Sequence, residues 1–279
     1  MAANHVPHVL VLGASGRVGG QVCRQLVAAG ARVRAATRHP EALPVGLAHG
    51  SAAVDLADPP SLSAALDGVD AVHLLWPFFE SAEEARRRAE PIAELLGAHV
   101  RRVVYVSSQG VEEDRETFWA AVEDAVAAHV PERTFLRPTG FAANALQWAP
   151  QIAGDRAVRF AFGDMARPLI HEADIAAVAV EALLREGHHR HAYVLTGPGM
   201  VTQREQVQAI AAALGTELAW EEMDRERAEA ELDLPGMMLD AWEHFLEDPE
   251  PVTDEVQRLT GRPSRPFSQW AEENAALFR

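Results

Sequence analysis

The chain contains no lysine, a single cysteine and only two tyrosines. Each scarcity closes off a class of chemistry. Without lysine there is no Schiff base and no lysine-assisted proton transfer, and all 25 basic residues are arginines. The lone Cys23 excludes an internal disulfide and any cysteine-cluster metal site; in a helical stretch it reads as packing, with a reactive thiol as the remoter alternative. Positive charge is short as well, because 25 basic against 41 acidic residues leave a formal charge of −16. Such a surface repels phosphate backbones and anionic lipid heads, so neither nucleic acid nor a membrane is an expected partner. No apolar run approaches a membrane span, and Met1 to His8 lacks the charged and apolar stretches of a secretion signal. A cytoplasmic location is the expectation.

The 279 residues are 48% hydrophobic, enough to bury a real core. Up to about residue 137, short β-rich apolar runs alternate with longer helical stretches, the pattern of βαβ units and a parallel sheet. Strands are expected at His8 to Leu12, Arg32 to Thr37, Ala52 to Val54, Ala71 to Trp76, Val103 to Ser107 and Thr134 to Arg137. Helices are expected around Val18 to Ala29, Ser61 to Leu66, Ala82 to Ala98 and Glu116 to His129. The alternation then loosens into a loop with Asn144 to Ile152, a helix at Glu172 to Arg185, a strand at Tyr193 to Thr196 and a helix at Thr202 to Leu214. From Asp224 onward Pro235, Pro249, Pro251, Pro263 and Pro266 divide an acidic segment into short helices. The reading is an α/β, Rossmann-like doubly wound parallel sheet. Residues 1–150 form the core, and residues 151–279 complete the sheet and add a small, mostly helical C-terminal lobe.

Val9 to Leu12 runs into Gly13-Ala14-Ser15-Gly16-Arg17-Val18-Gly19 and then a helical pattern. Glycines at this spacing between strand and helix permit a tight turn and close approach of a pyrophosphate, which the helix N-terminus attracts. A dinucleotide is the expected ligand; the bland alternative is a turn that only packs helix on strand. NAD binders usually end the second strand with an acidic residue that holds the ribose hydroxyls. Here the strand ends in Thr37-Arg38-His39. Arg38 and Arg17 suit a 2′-phosphate, so NADP(H) is preferred over NAD(H), unless both are ordinary surface charges. Asp55 and Leu56, after the third strand, are placed at the adenine, although an Asp so near Pro59 and Pro60 also suits a turn.

These segments resemble the NmrA-like, atypical branch of the short-chain dehydrogenases/reductases. The likeness rests on the glycine loop, Asp55-Leu56, Val104 to Ser108, Leu136 to Phe141, Asp174 to Ala179, Leu195 to Pro198, and Leu259 to Pro263 with Phe267 and Trp270. It implies an NAD(P)-binding Rossmann fold whose C-terminal lobe walls a substrate cleft. It also implies one of several functions: reduction of quinones or enones, tailoring of aromatic natural products, or sensing of the NADP(H) state.

The chain departs from the wider superfamily at the Tyr-x-x-x-Lys pair, in which lysine lowers the tyrosine pKa. Four residues beyond Tyr105 stands Gln109, and four beyond Tyr193 stands Gly197. Where related proteins often carry the helix lysine, this chain reads Phe118-Trp119-Ala120-Ala121-Val122-Glu123-Asp124. Ser107 and Ser108, at the end of the fifth strand, are candidates to polarise a substrate carbonyl, or are simple strand-end hydrogen-bonding groups. His171 is a further candidate acid, or a structural histidine.

Leu75, Trp76 and Pro77 leave the fourth strand and Pro138 ends the sixth, where their backbone faces an expected nicotinamide. Phe78, Phe79, Phe141, Asn144 and Trp148 follow as an expected aromatic substrate pocket, the alternative being an interface between the lobes. Adjacent histidines in Gly187-His188-His189-Arg190-His191 converge poorly, and no metal is expected. Arg86-Arg87-Arg88 reads as a solvated helix face among glutamates.

The sequence therefore points to an NAD(P)H-dependent oxidoreductase that reduces a small aromatic, quinone-like or enone substrate, with natural-product tailoring as one setting. The alternatives are a redox-sensing regulatory protein and a non-redox cyclase, isomerase or coupling enzyme on the same fold. A homodimer is left open.

Overall fold

The computed structural model describes residues 6–232 and 236–279. The chain runs through β1 (His8–Leu12), α1 (Arg17–Ala28), β2 (Arg32–Thr37), β3 (Gly50–Ala53), α2 (Pro60–Ala65), β4 (Ala71–Leu75), α3 (Ala82–His99), β5 (Arg102–Val106), α4 (Phe118–His129) and β6 (Glu132–Pro138). It continues through α5 (Ala149–Asp155), β7 (Ala157–Ala161), β8 (Ala166–Arg167), α6 (Glu172–Leu184), β9 (His191–Leu195), β10 (Val201–Thr202), α7 (Gln203–Leu214) and β11 (Ala219–Met223). The helices α8 (Arg225–Glu231), α9 (Gly236–Glu247), α10 (Glu255–Thr260) and α11 (Phe267–Asn274) follow.

Two compact units result. The first takes the chain up to Pro138, Glu172–Leu195 and Arg258–Gly261; the second takes Thr139–His171, Thr196–Gln257 and Arg262–Arg279. The first unit is a seven-stranded sheet in the order β3-β2-β1-β4-β5-β6-β9, every neighbouring pair parallel. A central parallel strand is covered on both faces, which is why β1 reads as an unbroken apolar run and is buried throughout. Leu10, Leu12, Val72, Leu74, Val103 and Tyr105 pack with residues of α2, α3 and α4. Alternation along the strands turns Val11, His73 and Val104 to the opposite face, where α1 packs on α6. Helices on both faces of a parallel sheet make this a Rossmann-like α/β fold.

The second unit holds the parallel pair β7–β11 and the antiparallel pair β8–β10. Its core is gathered from Trp148, Phe160, Met165, Val207, Ile210, Trp270 and Phe278 among others. Two features differ from the sequence reading. Asn144 to Ile152 is helical, a 3-10 turn at Ala142–Trp148 running into α5, with Pro150 in the first turn, where its missing N–H costs nothing. The short strands β7, β8, β10 and β11 also stand where none were expected. The proline-punctuated helices after Asp224 are present as read, and Pro235 lies outside the described residues.

Candidate functional site

The glycine loop links β1 to α1. Gly13 sits at φ +75°, a left-handed conformation that glycine adopts without the strain a Cβ brings. The Ala14 amide donates to the Ala36 carbonyl of β2 at 3.1 Å, and the Gly16 amide to the Gly13 carbonyl at 2.9 Å. Ser15 Oγ meets Thr37 Oγ1 at 3.0 Å, which ties the loop to the end of β2. A Cβ on Gly19 would stand 2.2 Å from the Gly13 carbonyl oxygen, so only glycine lets the first helical turn close on the loop.

Gly16 caps α1 without a side chain to bond, whereas α3 and α7 carry complete capping boxes, Ser81 with Glu84 and Thr202 with Glu205. The first-turn amides at Arg17, Val18 and Gly19 therefore have no intrahelical acceptor and point their dipoles outward. This is a cradle for a diphosphate. It lies where the strand order reverses between β1 and β4: a Cβ on Gly13 would touch Leu75 Cδ2 at 3.2 Å. Ligands of open α/β sheets bind at that switch point.

Beyond β2, His39 pairs with Glu41 at 3.3 Å. Arg17 and Arg38 are exposed and, among the described residues, have no acidic partner. Other arginines are held by carboxylates: Arg102 by Glu132, Arg137 by Glu123 and Arg167 by Glu250. Asp55 is half-buried, and its Oδ1 accepts from the Ala57 amide at 2.9 Å. Ser61 Oγ donates to the Asp55 carbonyl, so this aspartate builds the turn that opens α2. Leu56 is buried beside it.

At the end of β4, Leu75 is half-buried and Trp76 is buried, its Nε1 donating to Glu80 at 3.3 Å. Pro77 is exposed. Phe78 meets Trp76 edge-on at 5.3 Å and lies under the Arg88 guanidinium at 4.3 Å, which Glu80 holds at 3.1 Å. Phe79 stands 89% exposed. At the end of β5, the Ser107 amide donates to the Leu136 carbonyl at 2.7 Å, and its Oγ is buried and, among the described residues, without a partner. Ser108 is half-buried, and Pro138, ending β6, is buried.

The Tyr105 hydroxyl is likewise buried and, among the described residues, without a partner; burial and then the charge of Glu123 push its pKa well above the ordinary phenol value. It is in no state to give up a proton. On α4, Glu123 is buried between Arg137 Nη2 at 2.8 Å and Arg115 Nη1 at 3.0 Å. Burial likewise pushes the Cys23 thiol up to about 12, which leaves it inert.

The other sequence candidates belong to the second unit. Phe141 is half-buried, and the exposed Asn144 donates its amide to the Phe141 carbonyl at 3.0 Å. Trp148 is 1% exposed in that unit's core, against Phe160 at 5.7 Å and Trp220 at 6.1 Å. His171 is buried, with Nε2 3.2 Å from Glu273 Oε2. The structure thus brings the glycine loop, Arg17, Arg38, Leu75 and the serines to one edge of the first unit's sheet. It sets Phe141, Asn144, Trp148 and His171 in the second.

Two arrangements escaped the sequence reading. One is the Glu123 network. In the other, Arg167 makes a two-pronged pair with buried Glu250 at 2.6 and 2.7 Å and lies 4.6 Å over the Phe245 ring. A Cβ on Gly140 would collide with that guanidinium at 2.7 Å. His188, from the histidine cluster, meets the Tyr193 hydroxyl at 3.0 Å.

A family model described as NAD(P)H-binding matches residues 13–186. The chain is 37% identical over 286 residues to a (4-alkanoyl-5-oxo-2,5-dihydrofuran-3-yl)methyl phosphate reductase of Streptomyces griseus, covering 97% of this chain and 99% of that one. It is 31% identical to the NAD(P)H azoreductase of Xenophilus azovorans, with the same coverage. Among solved structures, the triphenylmethane reductase of Citrobacter sp., complexed with NADP(H), superposes with a TM-score of 0.79 at 18% identity, covering 96% of this chain and 99% of that one. The chain belongs to the NAD(P)H-binding family of NmrA-like, atypical short-chain dehydrogenases/reductases.

Proposed function

We propose that this NAD(P)H-binding oxidoreductase uses NADPH in preference to NADH to reduce a small conjugated acceptor, a quinone, an enone or a related aromatic compound. The observation that carries the cofactor preference is the pair of exposed guanidinium groups, Arg17 and Arg38, which among the described residues have no acidic partner, beside a helix N-terminus that no side chain caps. Two exposed guanidinium groups without a carboxylate at this place suit a 2′-phosphate.

When bound, the reduced nicotinamide supplies the hydride. The chain's own residues bind and orient. The loop from Gly13 through Ala14, Ser15, Gly16, Arg17 and Val18 to Gly19 would hold the diphosphate, with Asp55 and Leu56 toward the adenine. Leu75, Trp76, Pro77 and Pro138 would flank the nicotinamide. Hydride addition to a quinone or enone delocalises charge onto oxygen, so a weak donor suffices where a ketone would need a strong acid. Ser107 or Ser108 is assigned that hydrogen bond; the buried Ser107 Oγ, without a partner among the described residues, has donor capacity to spare. Phe78 and Phe79, which follow β4 on the same edge, are the proposed acceptor contacts; Trp148 fills the second unit's core and is not among them.

The names of the relatives support this acceptor class. The Streptomyces griseus protein is named for a ring alkene conjugated to carbonyl groups, and the Xenophilus azovorans protein for azo compounds. The test is NADPH consumption by the purified protein across quinones, enones and aromatic ketones. Turnover with the conjugated acceptors is expected; a protein that binds NADPH yet oxidises none of it would overturn the proposal and favour a cofactor sensor.

A further inference from the structure

The helix that carries no lysine carries two adjoining rings instead. Phe118 and Trp119 open α4 with centroids 4.0 Å apart and planes inclined by 31°. Phe79, from the loop after β4, meets Phe118 edge-on at 5.5 Å. Phe118 and Phe78 are rooted against the hydrophobic core of the first unit, whereas Phe79 is 89% exposed and Trp119 is half-buried outside that core. The anchored rings fix the position of the free ones.

Phe78 and Phe79 follow β4, and Phe118 and Trp119 open the helix that comes after its neighbour β5, on the edge that carries the glycine loop and Ser107. An aromatic left this exposed forgoes the burial that normally stabilises such a side chain, unless something lies on it.

We infer that Phe79, Phe118 and Trp119 form a stacking panel for the aromatic ring of the acceptor and set the preference for flat substrates. The inference rests on the reductase reading above and names the residues that select its substrate. A small ligand fits the panel better than a protein partner. Each free ring offers roughly 150–250 Å², well short of the ~1,000 Å² a stable protein interface needs. Exposed Glu112, Glu113, Asp114 and Glu116 precede the panel, and Arg115 is already held by Glu123 and Asp124. Two copies meeting here would set acidic runs against each other. A neutral flat ring meets no such repulsion, and an electron-poor one stacks well on indole.

The test compares wild type, Phe79→Ser and Trp119→Leu with naphthoquinone and the non-aromatic cyclohexenone as acceptors. Exposure of Phe79 makes its variant safe for folding. The KM for naphthoquinone is expected to rise roughly three- to tenfold in each variant, the strength of a single ring contact. The loss with cyclohexenone should be smaller, and the dissociation constant for NADPH should not move. A naphthoquinone KM within about twofold of wild type in both variants overturns the panel. So does a change of oligomeric state in Phe79→Ser at constant KM, which would name a second copy as the occupant.

If wild type oxidises no NADPH with either acceptor, the reductase reading fails by itself. Quenching of tryptophan fluorescence by naphthoquinone, in the NADP-loaded protein, then decides the panel. Saturable quenching lost in both variants upholds it, and quenching that is absent or unchanged refutes it.

Discussion

Replacing Arg38 with alanine isolates the 2′-phosphate from the rest of the nucleotide. Arg38 is exposed and, among the described residues, bonds to no acid, so its loss should leave folding within about 0.5 kcal/mol of wild type. What disappears is a charge-assisted hydrogen bond to a dianionic group, worth ~1.5–3 kcal/mol. That converts to a rise of roughly 10- to 150-fold in the NADPH dissociation constant. NADH has no phosphate at this place, so its affinity should stay within about twofold. Calorimetric titration of both nucleotides reads the difference directly. Because the lost contact is exposed, the gap between wild type and variant should narrow as salt is raised. Equal losses for NADPH and NADH would refute the phosphate grip and return Arg38 to the solvated surface.

Tyr105→Phe removes a buried hydroxyl that has no partner among the described residues, so stability should hold or rise by about 1 kcal/mol and turnover should persist; a collapse of kcat would mean that this phenol takes part in the chemistry. His73 is wholly buried, and burial pushes its pKa from 6.5 down to about 4 against a smaller opposing pull from backbone hydrogen bonding. The folded chain thus binds this proton less readily than the unfolded one. The stability held above pH 6.5 should fall by ~3 kcal/mol between there and about pH 4. Urea unfolding of His73→Leu should show that share of the acid slope removed, and parallel pH profiles for variant and wild type would contradict it.

The sheet was legible because central parallel strands must be apolar on both faces: His8–Leu12 and Ala71–Leu75 could be read almost to the residue. The glycine loop was legible for the same kind of reason, since Gly13 and Gly19 occupy places where a Cβ is strained or collides. The rest depends on contacts between distant segments. β7 and β11 are five residues each and pair with one another; β11 is mostly exposed and leaves no apolar signature, and β7, though buried at four of its five residues, is short and interrupted by Arg159. Aromatics near a strand end read alike whether they fill a core or face a ligand. Trp148 fills the second unit's core, while Phe118 and Trp119, two residues of an ordinary helix pattern, stand with exposed Phe79. The Glu123 network joins a 3-10 turn, α4 and β6, and no spacing within any one of them announces it.

The central claim is that the loop from Gly13 to Gly19 holds the diphosphate of NADPH. Titrating NADPH into wild type and into Gly19→Ala tests it most directly, with circular dichroism to show that the variant keeps its fold. Wild type should bind one nucleotide per chain and a folded variant should give no binding heat, since the added Cβ would stand 2.2 Å from the Gly13 carbonyl oxygen. No heat with wild type, or equal affinity in the two proteins, would contradict it.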